Sequence, residues 1–210
     1  KKTLICIFVL LAGLAEAFSQ DIIKSTFDAN NEEWGVAGGV IYYHDQGGNP
    51  GGFIEFEDDQ DGAGVFVAPS VFLGDLSAYN LGTLSFDLVN TVNNGMDLLY
   101  NFGNVTITSP THSASKNVVA LAYYSKWTSF SMPFAAEEWG LSSSGWDSLL
   151  SDVIEIKVQV DAQWDYYDRS GIDNFTLVPL NFGIVSGIFP AGQSDLVLNP
   201  VYPNPVMGCA

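Results

Sequence analysis

GVFVAPSVFLGDLSAYNLGTLSFDL, residues 64 to 88, runs an apolar segment into Ala68-Pro69, breaks at Gly74-Asp75 and resumes with Leu84, Phe86 and Leu88 at every second position. A period of two puts alternate side chains on one face of a strand. Pro69 has no amide to donate and a fixed φ, so it ends a strand where no ladder bond is needed. Gly74 permits a left-handed backbone, and Asp75 and Ser77 are short polar residues that bond to nearby amides. The stretch predicts strand, crossing loop and strand, with Phe72, Leu73 and Tyr79 plugging the end of a two-layered sandwich.

The same alternation extends outward. In VIEIKVQVDA, residues 153–162, Ile154, Ile156, Val158 and Val160 share one face and Glu155, Lys157, Gln159 and Asp161 the other, which predicts one dry and one wet side. Ile54 and Phe56 alternate with Glu55 and Glu57. NVTIT (104–108) and NVVALAYYS (117–125) read as further strands, the second apolar on both faces and therefore central. Turn clusters rich in Gly, Asn, Asp and Pro separate them: QGGNPGG, DDQDGAG, NTVNNG and TSPTHSAS. SSSGWDSLLSD offers serine caps before Trp146, Leu149 and Leu150 and has room for two helical turns at most. Many short strands at this spacing predict an all-β antiparallel sandwich or barrel with one short helix.

Residues 1–20 have the layout of a secretory signal peptide: Lys1 and Lys2, an apolar run too short to span a bilayer, then small residues at Ala15 and Ala17. No membrane insertion is expected once it is removed. Cys6 lies inside that apolar run and Cys209 next to the last residue, so the span between them holds no disulfide. With 47% hydrophobic residues, a core can form without such staples. Against 24 Asp and Glu stand 7 Lys and Arg, a formal net charge of −17. Nucleic acid is excluded as a partner, because too few cations exist to neutralise phosphates. The acid excess does supply oxygen ligands of the kind a hard cation takes.

GGFIEFEDDQDGAGVFVAPSVFLGDLSAYNLGTLSFDL resembles the laminin B (laminin IV type) domain. Phe66, Ala68-Pro69, Phe72-Leu73-Gly74-Asp75 and Ala78-Tyr79 carry the likeness, while Asn80-Leu81-Gly82 stands where that family often has two glycines. FDANNEEWGVAGG is similar to the opening strand of the family and of related sugar-binding jelly rolls. KWTSFSMPF, WDSLLSDVIEIKVQV and GIDNFTLVP are similar to its closing half. The resemblance, over residues 27 to 179, implies a jelly-roll-like antiparallel β-sandwich for a domain of residues 21–179. Residues 180–199 then read as a linker. VYPNPVMG resembles the start of the C-terminal sorting domain of Bacteroidetes type IX secretion, through Tyr202-Pro203-Asn204-Pro205, so residues 200–210 read as the truncated start of such a domain. Together with the leader, this implies the type IX secretion machinery as a partner and a secreted or cell-surface, bacterial extracellular, location.

In GIDNFTLV, residues 171–178, Asp173 has the parity of Phe175 and Leu177, which places its carboxylate at the core margin if those rings and chains point inward. A charge there must be paired, hydrogen-bonded or bound to metal. The resemblance to jelly-roll carbohydrate modules implies a structural calcium held by Asp173 with Asp28 or Asn30; hydrogen bonds from backbone amides are the alternative. EDDQDGAGVFVA has the Gly of an EF-hand loop at Gly62 but Ala68 where its last acid belongs, and reads as a hairpin turn.

Catalysis has little support: His44 and His112 are the two histidines, neither in a zinc-ligand spacing, and there is no G-x-S-x-G elbow. His44 reads as a surface or strand-end residue. Flat aromatic faces suit sugar rings, and Trp34, Tyr42, Tyr43, Trp127, Trp164, Tyr166 and Tyr167 are candidates, although Trp34 and Trp127 read first as core and packing at the sandwich end is the alternative for the 164–167 cluster. QWDYYDRSG concentrates them, so Trp164, Tyr166, Tyr167 and Arg169 form the expected ligand-binding patch. The function expected is a non-catalytic recognition module for a glycan or a surface protein. The alternatives are a structural or adhesin spacer and an accessory domain of a larger secreted hydrolase.

Overall fold

The computed structural model describes residues 21–58, 64–92, 102–118, 126–161 and 167–180. The expected signal peptide, linker and sorting segment, the 59–63 part of the acidic turn, most of the predicted strand 117–125, and Trp164 and Tyr166 lie outside them. The strands are β1 (Ile23–Ser25), β2 (Gly35–Ala37), β3 (Gly39–His44), β4 (Phe53–Asp58), β5 (Val65–Val67), β6 (Gly82–Asn90), β7 (Val105–Thr108), β8 (Ser113–Lys116), β9 (Thr128–Phe134), β10 (Glu155–Gln159) and β11 (Arg169–Val178). They form two antiparallel sheets, β3-β4-β11-β6-β9 with β1 added beside β11, and β2-β5-β10-β7-β8. This is the jelly-roll-like sandwich.

The opening stretch does what its residues predict. β5 ends at Ala68-Pro69, Phe72 and Tyr79 are buried, and Leu73 packs against the core. The loop stays tied to the five-stranded sheet that β5 belongs to, by reciprocal backbone bonds between Gly74 and Val153, just ahead of β10, both 2.8 Å. Asp75 Oδ1 accepts the amide of Ser77 at 2.9 Å. In β6, Leu84, Phe86 and Leu88 point inward. Between the sheets Trp34 lies edge-on to Phe27, Phe66, Phe72 and Phe175, with ring centroids 5.0 to 6.4 Å apart. Each such buried ring is worth roughly 1.5–3 kcal/mol in transfer free energy, and its edge-to-face contacts add to that.

The helix is α1 (Ser143–Leu150), eight residues long. Ser142 Oγ accepts the Gly145 amide at 3.2 Å, the bond of an N-cap. Trp146, Leu149 and Leu150 are buried, as their spacing requires.

Three expectations of facing fail. Ile154 is half exposed, because the chain makes its contact through the buried Val153 bridge and only then enters β10. The opposite side of that strand is not wet throughout, since Gln159 and Asp161 are buried. The parity read for Asp173 is also wrong. The β11–β6 register shifts between Asp173 and Thr176, and Asn174 takes a φ of 54°. This bulge reverses the alternation: Ile172 and Phe175 are both core, so Asp173 lies on the outer face.

Candidate functional site

The outer face of the six-stranded sheet carries the polar chemistry of the domain. Inward residues of β4, β6 and β11 fix which side chains face out: Phe53, Glu55 and Glu57 from β4, Asp87 and Val89 from β6, Arg169 and Asp173 from β11. Register places Arg169 opposite Glu57, Asp173 opposite Asp87, and Tyr42 of β3 opposite Glu55.

At the Arg169 end no described residue covers the face. The guanidinium carbon lies 5.8 Å from the ring centroid of Tyr42 and 5.8 Å from that of Tyr167, within cation–π range of both. Both tyrosines are exposed. Arg169 Nε donates to Tyr167 Oη at 2.8 Å, Nη2 pairs with Glu57, and Nη1 is 3.6 Å from Glu55 Oε2. Desolvation works to lower the guanidinium pKa, but the hydrogen bond to Tyr167 and then the charges of Glu57, Tyr167 and Glu55 together hold it above its usual value. Glu55 is a buried carboxylate on an open face, accommodated by His44 Nε2 at 3.0 Å and by Thr91 Oγ1, which donates at 2.5 Å. His44 is half-exposed and stacks on Phe53 at 4.6 Å. Trp127 meets Phe53 edge-on at 5.3 Å.

At the other end the β3–β4 connection, residues 45–52, roofs the sheet. Its GGNPGG sequence explains how. A Cβ on Gly48 would sit 2.2 Å from the carbonyl oxygen of Gly52, and one on Gly52 would sit 2.1 Å from that of Phe27. Only glycine lets the loop close this tightly. The Asn49-Pro50 bond is cis. Asn49 N donates to Asp173 Oδ2 at 2.6 Å, Asn49 Nδ2 to Asp87 Oδ2 at 3.1 Å, and Trp127 Nε1 to the Gly47 carbonyl at 2.7 Å. Asn174 adds its amide to Asp173 Oδ1 at 2.6 Å and its Nδ2 to Asp87 Oδ2 at 2.8 Å. Asp173 has no solvent exposure. Burial pushes its carboxyl up to about 6, against the lowering effect of the two amide bonds, and neighbouring Asp87 adds to the rise.

The expected metal ligands reach this roof unevenly. A Cβ on Gly51 would lie 3.1 Å from Asp28 Oδ1 and one on Gly48 2.8 Å from Asp173 Oδ2, so both carboxylates border the one loop. Asp28 Oδ2 accepts the Thr26 hydroxyl at 2.7 Å, and Asn30 Oδ1 accepts the Glu32 amide at 2.6 Å. Among the described residues no three His, Cys, Asp or Glu side chains gather as a metal set. What fits a hard cation is the charge: two buried carboxylates, Asp87 and Asp173, side by side.

Of the expected ligand patch, Tyr167 and Arg169 meet, joined by Tyr42. Trp34 is core, its indole donating to Ser25 Oγ at 2.9 Å. Trp127 is not: it is half-buried on the outer face, because the roof carbonyl of Gly47 takes its N–H. Sequence reasoning missed Glu55 and Phe53 as parts of the face, although their alternation with Ile54 and Phe56 was the available signal.

No family model matches the chain, and no curated protein matches it. Solved structures do share the fold. An exo-β-agarase superposes with a TM-score of 0.53 at 13% identity, over 72% of this chain and 24% of its own, so the domain corresponds to about a quarter of that enzyme. The L4b domain of human laminin alpha-2 gives 0.48 at 14% identity, over 59% and 77%. The family 11 carbohydrate-binding module of a Clostridium thermocellum cellulosomal cellulase gives 0.47 at 16%, over 76% and 96%. No helix among the described residues is long and apolar enough to cross a membrane.

Proposed function

We propose that this domain is a non-catalytic glycan-recognition module, related to the laminin B type, whose contact surface is the open end of the six-stranded sheet. The observation that carries this is the pair of exposed tyrosines, Tyr42 and Tyr167, held on either side of one guanidinium whose own partners fix it in place. Such a platform offers flat apolar faces with hydroxyl tips and charged acceptors at its edge, the combination an amphipathic sugar ring needs. Trp164 and Tyr166, which the sequence groups with Tyr167, lie outside the described residues and enter the proposal through the sequence alone. A fold that an agarase carries as a fraction of its length suits a module set beside another activity. Export by the leader and sorting through the type IX route complete the proposal, with the bacterial surface or medium as destination.

Binding to a polysaccharide panel tests it, with Tyr42→Ala, Tyr167→Ala and Trp164→Ala compared with the unchanged protein. Loss of retention in the tyrosine variants supports the surface. No retention across the panel favours the spacer or adhesin alternative.

A structural calcium under the roof is the second part of the proposal. Asp173 would anchor it, with Asp28 bordering the same loop and Asn30 beyond. A cation there would offset the repulsion between Asp87 and Asp173 and lock the 45–52 loop to the sheet. The expected result is a melting temperature that falls in EDTA and a chelator effect that vanishes in Asp173→Ala. Equal melting with and without EDTA leaves Asp173 as a hydrogen-bonded carboxylate.

A further inference from the structure

We infer, resting on the glycan surface proposed above, that its ligand is a neutral polysaccharide, free of carboxylate and sulfate groups, because the charge of Arg169 is consumed within the face. Nη2 is committed to Glu57, Nη1 faces Glu55 at 3.6 Å, and Nε is spent on Tyr167 Oη at 2.8 Å. Glu55 in turn is enclosed by His44 and Thr91, so it cannot swing away to release the guanidinium.

The surroundings point the same way. Among the described residues four carboxylates run along the face, Glu55, Glu57, Asp87 and Asp173. Against them stand Arg169 and, toward the margins, Lys24, opposite Thr176 in register, and Lys126, next to Trp127. By number the acids exceed the cations on this face, within a chain of net charge −17. An anionic polymer reaching Arg169 would have to displace Glu57 and leave two carboxylates facing it without their partner. A neutral chain meets no such opposition. Its hydroxyls donate to Glu57 and to the tyrosine oxygens, and its apolar ring faces lie on Tyr42 and Tyr167.

The test uses the whole chain on insoluble or immobilised polymers, neutral (mixed-linkage β-glucan, xylan, agarose) and acidic (polygalacturonate, alginate, a sulfated galactan), at low and high salt. Retention by a neutral polymer, insensitive to salt, with none by the acidic set, is expected. Glu57→Gln, which frees one side of the guanidinium at a partly exposed position, should gain retention on polygalacturonate at low salt and lose it at high salt. Wild-type retention by an acidic polymer, falling with salt, overturns the inference and leaves glycan recognition standing. Unchanged rejection of acidic polymers by Glu57→Gln overturns the role given to the Arg169 pairing. Absence of retention on every polymer instead removes the glycan surface on which the inference rests.

Discussion

Arg169 and Asp173 stand four residues apart on one strand, face the same way, and are treated oppositely. Arg169 keeps about a third of its side chain in solvent and its charge is balanced by two glutamates. Asp173 has none of its surface in solvent and is met by backbone amides and a second acid. What separates them is the cover. β4 pairs with β11 through Ile172 and β1 pairs from Phe175 on, so the bulge at Asp173 and Asn174 falls in the gap between two partner strands. The 45–52 loop closes over the sheet beside that gap, whereas the described chain leaves Tyr42 and Tyr167 exposed at the other end. One face of one sheet thus serves as buried structure at one end and accessible surface at the other, and the choice is made by a loop.

Removing the tightness of that loop should have the largest effect. Gly52→Ala drives a methyl group into the Phe27 carbonyl, and neither backbone can move without disturbing the core ring of Phe27. A loss of about 3 kcal/mol is expected, of the order of 10 °C in melting temperature, by calorimetry or thermal circular dichroism. A variant that melts within ~1 °C of the parent would mean that the roof is not a tight structural element, and the contrast between the two ends would lose its basis.

Next in size is a pH effect at the buried end. A carboxyl that binds its proton more tightly folded than unfolded adds stability that is complete below the ordinary value of 3.8 and is lost as pH rises through about 6. In chelator, the parent should therefore lose up to ~3 kcal/mol relative to Asp173→Asn between pH 4 and 7.5. Asp173→Asn itself turns an NH2 toward a backbone amide and starts from a lower stability, so the quantity to read is the change in the difference with pH. A parallel pair of curves would show that the carboxyl titrates as if exposed. Saturating calcium should flatten the parent's slope if the ion binds the ionised pair.

The roof is also where the sequence was hardest to read. Alternation along β4 and β6, the break at Pro69 and the serine cap of α1 are local signals, and each produced the element it predicts. Asp173 depended on a bulge, and a bulge needs one extra residue on one strand of a pair that only the register reveals. Trp127 depended on a carbonyl eighty residues away, and Glu55 on His44 and Thr91 from two other segments. Tyr167 and Arg169 were legible as a patch because they are neighbours in the chain. Tyr42, their third member, belongs to them through strand pairing.

The smallest stability effect belongs to the open end and sharpens the contrast most. Tyr167 is 54% exposed and its hydroxyl accepts from Arg169, a surface bond that solvent replaces at little cost. Tyr167→Ala should therefore shift stability by no more than ~0.5 kcal/mol, as surface substitutions do. Its glycan affinity should nevertheless fall about five- to tenfold, the equivalent of one aromatic contact. Measured side by side with Gly52→Ala, by melting and by isothermal titration, this variant separates surface from scaffold. If it melted as early as the glycine variant, the tyrosine would be holding the sheet together, and the open end would be structure of the same kind as the roofed one.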